Sequence, residues 1–196
     1  QLGILLLEHY LSTLQEANQL HKHGFIITTI VTSPMVSRIA SKYGIKVIQT
    51  LTGFKWIWAK ARAEEAHRRG VFLFGMEESH GYLAGYHAGD KDGVWAAMAF
   101  AELVAFLKAQ EKSPIDRLHE LYRVYGYHVD DLENQVYPGL SGMETMNQMM
   151  NKLRDHSLTS LGGLSVTKTI DYLWKTENNH KEQLSSDNAL PSSNVL

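Results

Sequence analysis

The chain has no cysteine. Disulfides, thiolate nucleophiles and cysteine-based metal sites are therefore excluded, and the absence fits a cytoplasmic protein. Charge of one sign is also scarce. A net charge of -2 over 196 residues gives no electrostatic case for nucleic acid or an anionic membrane as partner. No apolar run is long enough to span a bilayer. The opening Leu2-Gly3-Ile4-Leu5-Leu6-Leu7 is broken at once by Glu8 and His9, and it lacks the basic flank and cleavage site of a signal peptide. There is no P-loop, no G-x-G-x-x-G and no H-E-x-x-H, which lowers the case for a nucleotide or zinc site. The ten histidines form no metal set: His21-x-His23 reads as a solvated loop, and His67 and His119 stand alone on helices. No internal repeat is present. The first residue is Gln, and a helix already under way there reads as a piece of something longer.

What is present is an alternation of periods. The length suits one sizeable core with a small appendage. Leu2, Leu5, Leu6, Tyr10 and Leu14 approximate helical spacing and predict a helix over 2–19. Residues 25–32, FIITTIVT, are rich in β-branched side chains and predict a strand. Ser33-Pro34 then reads as an N-cap and N1 proline for a helix carrying Val36, Ile39, Ala40 and Tyr43 on one stripe, with Gly44 at its C′ position. Residues 45–51 predict the next strand. Thr52-Gly53 opens a helix with Phe54, Ile57, Trp58 and Ala61 on one face, closed by Gly70. Val71-Phe72-Leu73-Phe74 predicts a short buried strand ending at Gly75. After a Gly-rich loop through Asp90-Lys91-Asp92-Gly93 comes a long helix. Its stripe is Val94, Ala97, Met98, Ala101, Val104 and Ala105, and with Trp95, Phe100, Leu103 and Phe106 on other faces it is expected to be deeply buried. The α-β-α-β-α-β-α order predicts a three-layer α/β/α domain with a mainly parallel sheet.

The second half is less regular. Ser113-Pro114 caps a helix expected to turn Ile115, Leu118, Leu121, Tyr122 and Tyr125 inward and to end at Gly126. Residues 127–137 are ambiguous, with a strand as one reading. Ser141-x-x-Glu144 reads as a capping box before a Met-rich helix reaching about Arg154, its methionines taken as core filler. Residues 165–172 alternate like a strand. From Trp174 onward the chain reads as a polar linker or frayed tail, mobile or extended.

Function-bearing residues gather where strands end. Parallel order places Thr32-Ser33, residues 50–53 and residues 75–79 on one carboxyl edge, where open α/β sheets bind ligands. Glu77, Glu78 and Ser79 suit a polyol, because carboxylates accept hydrogen bonds from sugar hydroxyls. A polar surface loop with helix-capping acids explains them equally well. Thr52, Gly53 and Lys55 at a helix start could hold an anion, or be an ordinary cap. Lys91 could contact a phosphate or sugar, or form a surface ion pair worth little. Ser79-His80 is no nucleophile pair on this basis, since triads are assembled in space rather than from adjacent residues.

Three segments together, Leu51-Thr52-Gly53-Phe54-Lys55-Trp56-Ile57, Phe74-Gly75-Met76-Glu77-Glu78-Ser79-His80-Gly81-Tyr82 and Asp90-Lys91-Asp92-Gly93-Val94, resemble the α-D-phosphohexomutases, in particular the phosphoglucomutase and phosphopentomutase-like branch. The likeness extends to Tyr125-Gly126-Tyr127-His128 and to Leu190-Pro191. It implies that residues 1–20 end a preceding domain or begin this one. Residues 21–157 would be the third, sugar-binding domain, and 158–196 a linker towards a C-terminal phosphate-binding domain. It implies substrate-binding roles for Thr52, Gly53, Lys55, Glu77, Ser79 and Lys91, with Lys91 able to assist proton transfer. The full-length enzyme would interconvert sugar 1-phosphate and 6-phosphate through a bisphosphate, with Mg²⁺ and glucose 1,6-bisphosphate as cofactors and the other domains of the polypeptide as partners.

The family's phosphoserine, Mg²⁺-loop and final phosphate-clamp sequences have no counterpart in the chain, and Tyr or Phe is usual where His80 stands. This chain alone is therefore expected to be inactive and to bind no cofactor. A phosphopentomutase or glucose-1,6-bisphosphate synthase piece, a non-enzymatic sugar- or nucleotide-binding module, and a purely structural domain remain alternatives. Glucose, mannose and pentose phosphates are not distinguished.

Overall fold

The computed structural model describes residues 1–131, 133–156, 158–177, 182–183 and 190–196. It divides into two units, Gln1–Asp130 and Asp131–Leu196. In the first unit the elements run α1 (Leu2–Glu16), β1 (Gly24–Thr29), α2 (Met35–Lys42), β2 (Lys46–Thr50), α3 (Phe54–Ala66), β3 (Val71–Glu77), β4 (Gly81–Ala84), α4 (Gly93–Lys108) and α5 (Pro114–Tyr125).

The sheet order is β2-β1-β3-β4. β1 pairs with β2 and β3 in parallel, and β4 returns antiparallel beside β3. This is the mainly parallel sheet that the alternation of periods predicts. β4 is the correction: the glycine-rich stretch after Ser79 is not all loop, and β3 does not end at Gly75 but runs on to Glu77.

Each strand separates its side chains between two helical layers, as the period of two requires. Phe25, Ile27, Phe72 and Leu83 pack with Phe54, Ile57 and Ala61 of α3. Ile26, Phe74 and Met76 join Leu6, Leu7 and Leu11 of α1, Val36 and Ile39 of α2, Leu103 and Leu107 of α4, and Leu121 of α5. The register of β3 against β1 slips between Phe25 and Ile26. Such a bulge lets successive residues share a face, and Leu73 and Phe74 both join the larger cluster. Residues 1–20 belong to this unit: α1 is a core helix, buried at every position from Gly3 to Glu8. Burying each large apolar side chain contributes roughly 1.5–3 kcal/mol, so the α1–sheet contact is a main source of stability.

Local signals place most boundaries. Ser113 and Asp116 close a reciprocal capping box on α5, and Gly44 adopts φ +67 behind α2. Three expectations fail. Ser33 makes no capping bond, because Pro34 already occupies the cap position of α2. α3 ends at Ala66, before Gly70: Arg68 takes the left-handed turn at φ 54, and Gly70, at φ 154, follows it. α4 is not deeply buried. Val94 and Met98 are 72% and 67% exposed, because the face read as its core stripe points outward and Leu103 and Leu107 point in. Ile115 of α5 is exposed as well.

In the second unit α6 (Gly139–Asp155) is followed by the two-residue strands β5 (Ser160–Leu161), β6 (Leu164–Ser165), β7 (Ile170–Asp171), β8 (Thr176–Glu177) and β9 (Glu182–Gln183). β5 pairs with β6, and β7, β8 and β9 form a second small sheet. The helix, placed with residues 21–157 above, thus groups with the residues that follow it. It starts two residues before Ser141, behind Pro138, so Ser141 and Glu144 are interior and form no capping box. Its methionines are not core filler: Met143, Met146 and Met149 are exposed. No strand forms among the described residues of 127–137, and 165–172 holds only short pieces. The stretch after Trp174 contributes β8 and β9, and Tyr172 N–H donates to the Val195 carbonyl, so it is not simply a tail. Residues 132, 157, 178–181 and 184–189 of these expectations lie outside the described residues.

Candidate functional site at the carboxyl edge

β1 has β2 on one side and β3 on the other, and α2 packs on the opposite face of the sheet from α3. Connections that diverge in this way leave a crevice outside the carboxyl ends of the diverging strands. The residues at that position are polar. Thr29 ends β1 and is fully buried. Its hydroxyl donates to Glu78 Oε2 at 2.6 Å and lies 3.0 Å from the Thr32 hydroxyl. Thr50 ends β2, and its hydroxyl lies 3.1 Å from the Leu51 carbonyl that accepts from it.

Glu77 is the last residue of β3 and is 3% exposed. Lys91 Nζ donates to its Oε1 at 2.7 Å. The hydrogen bond to Glu77, and then the charge of Glu77, hold the Lys91 ammonium above the usual lysine range; Asp90 and Glu78 add to this. Gly81, paired with Glu77 across the hairpin, supplies the room: a Cβ there would stand 2.5 Å from Glu77 Oε1. Between them Glu78, Ser79 and His80 are exposed, and His80 takes φ 63 at the turn.

The loop carrying Lys91 is anchored on both sides. Asp92 N–H donates to the Tyr82 carbonyl at 2.8 Å. The Asp92 carboxylate caps α4 by accepting from Val94 and Trp95 N–H, and it meets His87 Nε2 at 2.6 Å. The His87 hydrogen bond, with the backbone donors, holds Asp92 below the usual carboxylate range. Trp58 of α3 meets the same loop, 6.1 Å from the Tyr86 ring and close beside Gly89.

Of the residues singled out from sequence, Glu77 and Lys91 are brought into contact. Ser79 stands exposed in the adjoining turn. Thr52, Gly53 and Lys55 occupy the start of α3 on the same edge. Gly53 caps the helix with φ 110 and no side-chain bond, and Lys55 Nζ lies 5.4 Å from the Trp56 ring centroid. No bond joins this second group to Glu77 or Lys91; Trp58, farther along the same helix, meets the loop that carries Lys91. Sequence reasoning missed Thr29 as the residue that fixes Glu78. Its signal was a threonine at the last position of a buried strand.

The family model for the phosphoglucomutase/phosphomannomutase α/β/α domain III matches residues 1–125. A phosphoglucomutase of Staphylococcus haemolyticus is 31% identical over all 196 residues, which cover 35% of its own length. One of Staphylococcus aureus is likewise 31% identical, with 34% of its length covered. The chain thus spans about a third of these curated relatives. A solved protein of Thermus thermophilus aligns with 62% of this chain and 25% of its own, at 21% identity and a TM-score of 0.48; the assignment rests on the family model rather than on that superposition. With a parallel sheet between two helical layers and an acidic hairpin at its carboxyl edge, the chain belongs to the phosphoglucomutase/phosphomannomutase α/β/α domain III family.

Proposed function

We propose that this chain is the sugar-recognising domain of a phosphoglucomutase- or phosphomannomutase-type enzyme, which moves a phosphoryl group between the 1- and 6-hydroxyls of a hexose through a bisphosphate. The observation that carries this reading is the Glu77–Lys91 pair at the end of β3. A buried carboxylate is normally neutralised by partners that are themselves held in place. Here the partner is a half-exposed lysine on a loop, which a ligand can redirect. Glu77 then accepts hydrogen bonds from sugar hydroxyls, with Ser79 beside it. Lys91, kept protonated by the same carboxylate, turns its ammonium to the phosphosugar and can pass a proton to a departing oxygen. Uncapped N–H groups at the start of α3, with Thr52, Gly53 and Lys55, suit a phosphate.

In this reading Mg²⁺ and glucose 1,6-bisphosphate belong to the full-length enzyme. Among the described residues no three or more His, Asp or Glu gather as a metal site. Phosphoryl transfer depends on positioning and charge stabilisation, so the chain alone binds sugar phosphate weakly, with a dissociation constant on the order of millimolar, and does not turn it over.

The test is thermal stabilisation of the chain by glucose 1-phosphate against a panel of nucleotides, followed by a coupled mutase assay. Stabilisation confined to sugar phosphates, without turnover, is the expected result. Stabilisation by nucleotides alone, or turnover that persists through repurification, would overturn the reading.

A further inference from the structure

A cleft of about 430 Å³ borders the 77–80 turn at His80, bounded by the first residues of α1, the β1–α2 connection, α5 and the segment after it. Its walls include Ser33, His80, Tyr122, His128 and Asp130 over an apolar floor to which Met35 contributes. None of these residues was given a role by the reading above, although His128 belongs to the Tyr125-Gly126-Tyr127-His128 segment singled out in the sequence.

Two details set this cleft apart from an ordinary surface groove. The Ser33 hydroxyl is buried and has no hydrogen-bond partner. Buried hydroxyls are almost always satisfied, so an orphan one calls for a ligand or an ordered water. His128 Nδ1 lies 2.8 Å from the Gly126 carbonyl. A carbonyl can only accept, so Nδ1 carries the proton, and this bond fixes the ring with Nε2 turned away from the Gly126 carbonyl. Gly126, at φ 92, and the Arg38 guanidinium bonded to the Tyr125 carbonyl at 2.8 Å fix the backbone that aims this ring.

The composition of the wall selects the ligand. Among the described residues its side chains include no lysine or arginine and one carboxylate, Asp130, and Gln1 also lines it; the side chains offer a phosphate no cation. The two imidazoles and Asp130 form no metal-holding group among the described residues. Hydroxyl-sized donors and acceptors above an apolar floor suit the uncharged face of a sugar ring, which needs few polar contacts and much apolar surface. The cleft also begins at His80, one residue beyond Ser79.

We propose that this cleft is a second sugar subsite, in which Ser33, His80 and His128 hold ring hydroxyls of the phosphosugar. It rests on the sugar-phosphate reading of the Glu77 turn. Specificity is then read on both sides of the turn, and His80, where an aromatic residue is usual, adds a polar contact.

The experiment is an amide and imidazole NMR titration of the 196-residue chain with glucose and with mannose up to about 100 mM, with inorganic phosphate and glycerol as controls. The expected result is saturable shifts at Ser33, His80 and His128 Nε2 with a hexose and none with phosphate or glycerol. Ser33→Ala and His128→Phe should each weaken that response about threefold to tenfold, whereas Glu77→Gln should affect shifts at Ser79 and spare those at His128. Shifts at Ser79 without any at His128 overturn the subsite and leave the Glu77 reading intact. Shifts at His128 without any at Ser79 overturn the Glu77 reading, and with it the cleft's role as a second subsite for the phosphosugar. A response to phosphate alone, or to nothing, overturns the subsite, and this holds on the unmodified chain even if a variant fails to fold.

Discussion

Two glutamates of the first unit are about equally buried and each meets a cation within 2.7 Å, yet their surroundings differ. Glu8, on α1, has Arg117 Nη2 at 2.6 Å on one oxygen and the Tyr43 hydroxyl at 3.0 Å on the other. Arg117 is held in turn by Glu120 at 2.8 Å, and Glu120 by Lys112 at 2.6 Å. Glu8 therefore ties α1 to α5 and to the residue that ends α2. Glu77 has Lys91, half exposed on a loop. Both arrangements satisfy the requirement that a buried charge be paired. The first leaves no oxygen of the carboxylate free for a ligand and joins three helices. The second holds the carboxylate at one edge of the sheet through a lysine that is itself half exposed on a loop. Burial of an acid is thus a poor guide to its role until the mobility of its partner is considered.

The comparison is broken most directly by removing the cations. Arg117→Ala leaves Glu8 charged and buried, and breaking a buried pair costs roughly 3–5 kcal/mol. Because Arg117 is about 29% exposed at its side chain, we expect the lower end, about 3 kcal/mol, by urea denaturation. Lys91→Ala should cost under about 1 kcal/mol, as for exposed pairs, since water can reach the site of the lost ammonium. Equal losses would mean that Glu77 is as structural as Glu8.

The converse holds for function. In the full-length enzyme Glu77→Ala should lower kcat/KM by about ten- to a hundredfold, the effect of losing a hydrogen bond from a hydroxyl to a charged acceptor, with the fold retained. Gly81→Ala should act in the same direction, because its Cβ would occupy the place of the Glu77 carboxylate. Near-normal kcat/KM for Glu77→Ala would remove the sugar-binding role.

The difference between the two acids was only half visible in the sequence. Glu77 and Lys91 lie fourteen residues apart in segments marked by turn chemistry, and both were singled out, although not their contact. Glu8 and Arg117 are separated by 109 residues, and no local pattern joins them. The three parallel strands were legible because each is a β-branched or aromatic run bounded by glycine, proline or a helix cap. β4 was not, because Gly81-Tyr82-Leu83-Ala84 is short, lies between two glycines, and becomes a strand through pairing with β3. The face of α4 was misread because that helix is apolar on every side, so periodicity could not say which side meets the sheet. The Met-rich face of α6 was read as core for the same reason: hydrophobicity marks what could be buried, not what covers it.

A milder contrast comes from hydroxyls. Tyr43→Phe removes the second partner of Glu8, and losing a bond to a buried charge should cost about 1.5 kcal/mol. Thr29→Val removes the 2.6 Å bond to Glu78, but Glu78 is exposed and can turn to water. That change should cost less than about 1 kcal/mol by the same measure. If Thr29→Val proves the more damaging, the strand-end cluster rather than the helix junction is the tighter network.

Alkaline pH gives the smallest effect and separates the two sites by size and partner. Burial, and then the charge of Glu8, push the Tyr43 hydroxyl above the usual tyrosine range. The hydrogen bond to Glu77 raises Lys91. Both groups keep their protons longer when folded than when unfolded, so each contributes stability that is complete below its unfolded value. That contribution is lost as pH climbs through the folded value. The window opens near pH 10 for tyrosine and slightly above it for lysine. Tyr43→Phe should therefore flatten the fall of Tm between about pH 9.5 and 11 more than Lys91→Met does, because the Tyr43 hydroxyl is partly buried against Glu8 and the Lys91 ammonium is half exposed on a loop. Below about pH 9 neither variant should alter the pH dependence of Tm. A flatter profile for Lys91→Met than for Tyr43→Phe would show that the Glu77–Lys91 pair is sequestered from water in the ligand-free protein, and a ligand could then reach Glu77 only after the loop at 85–92 had opened.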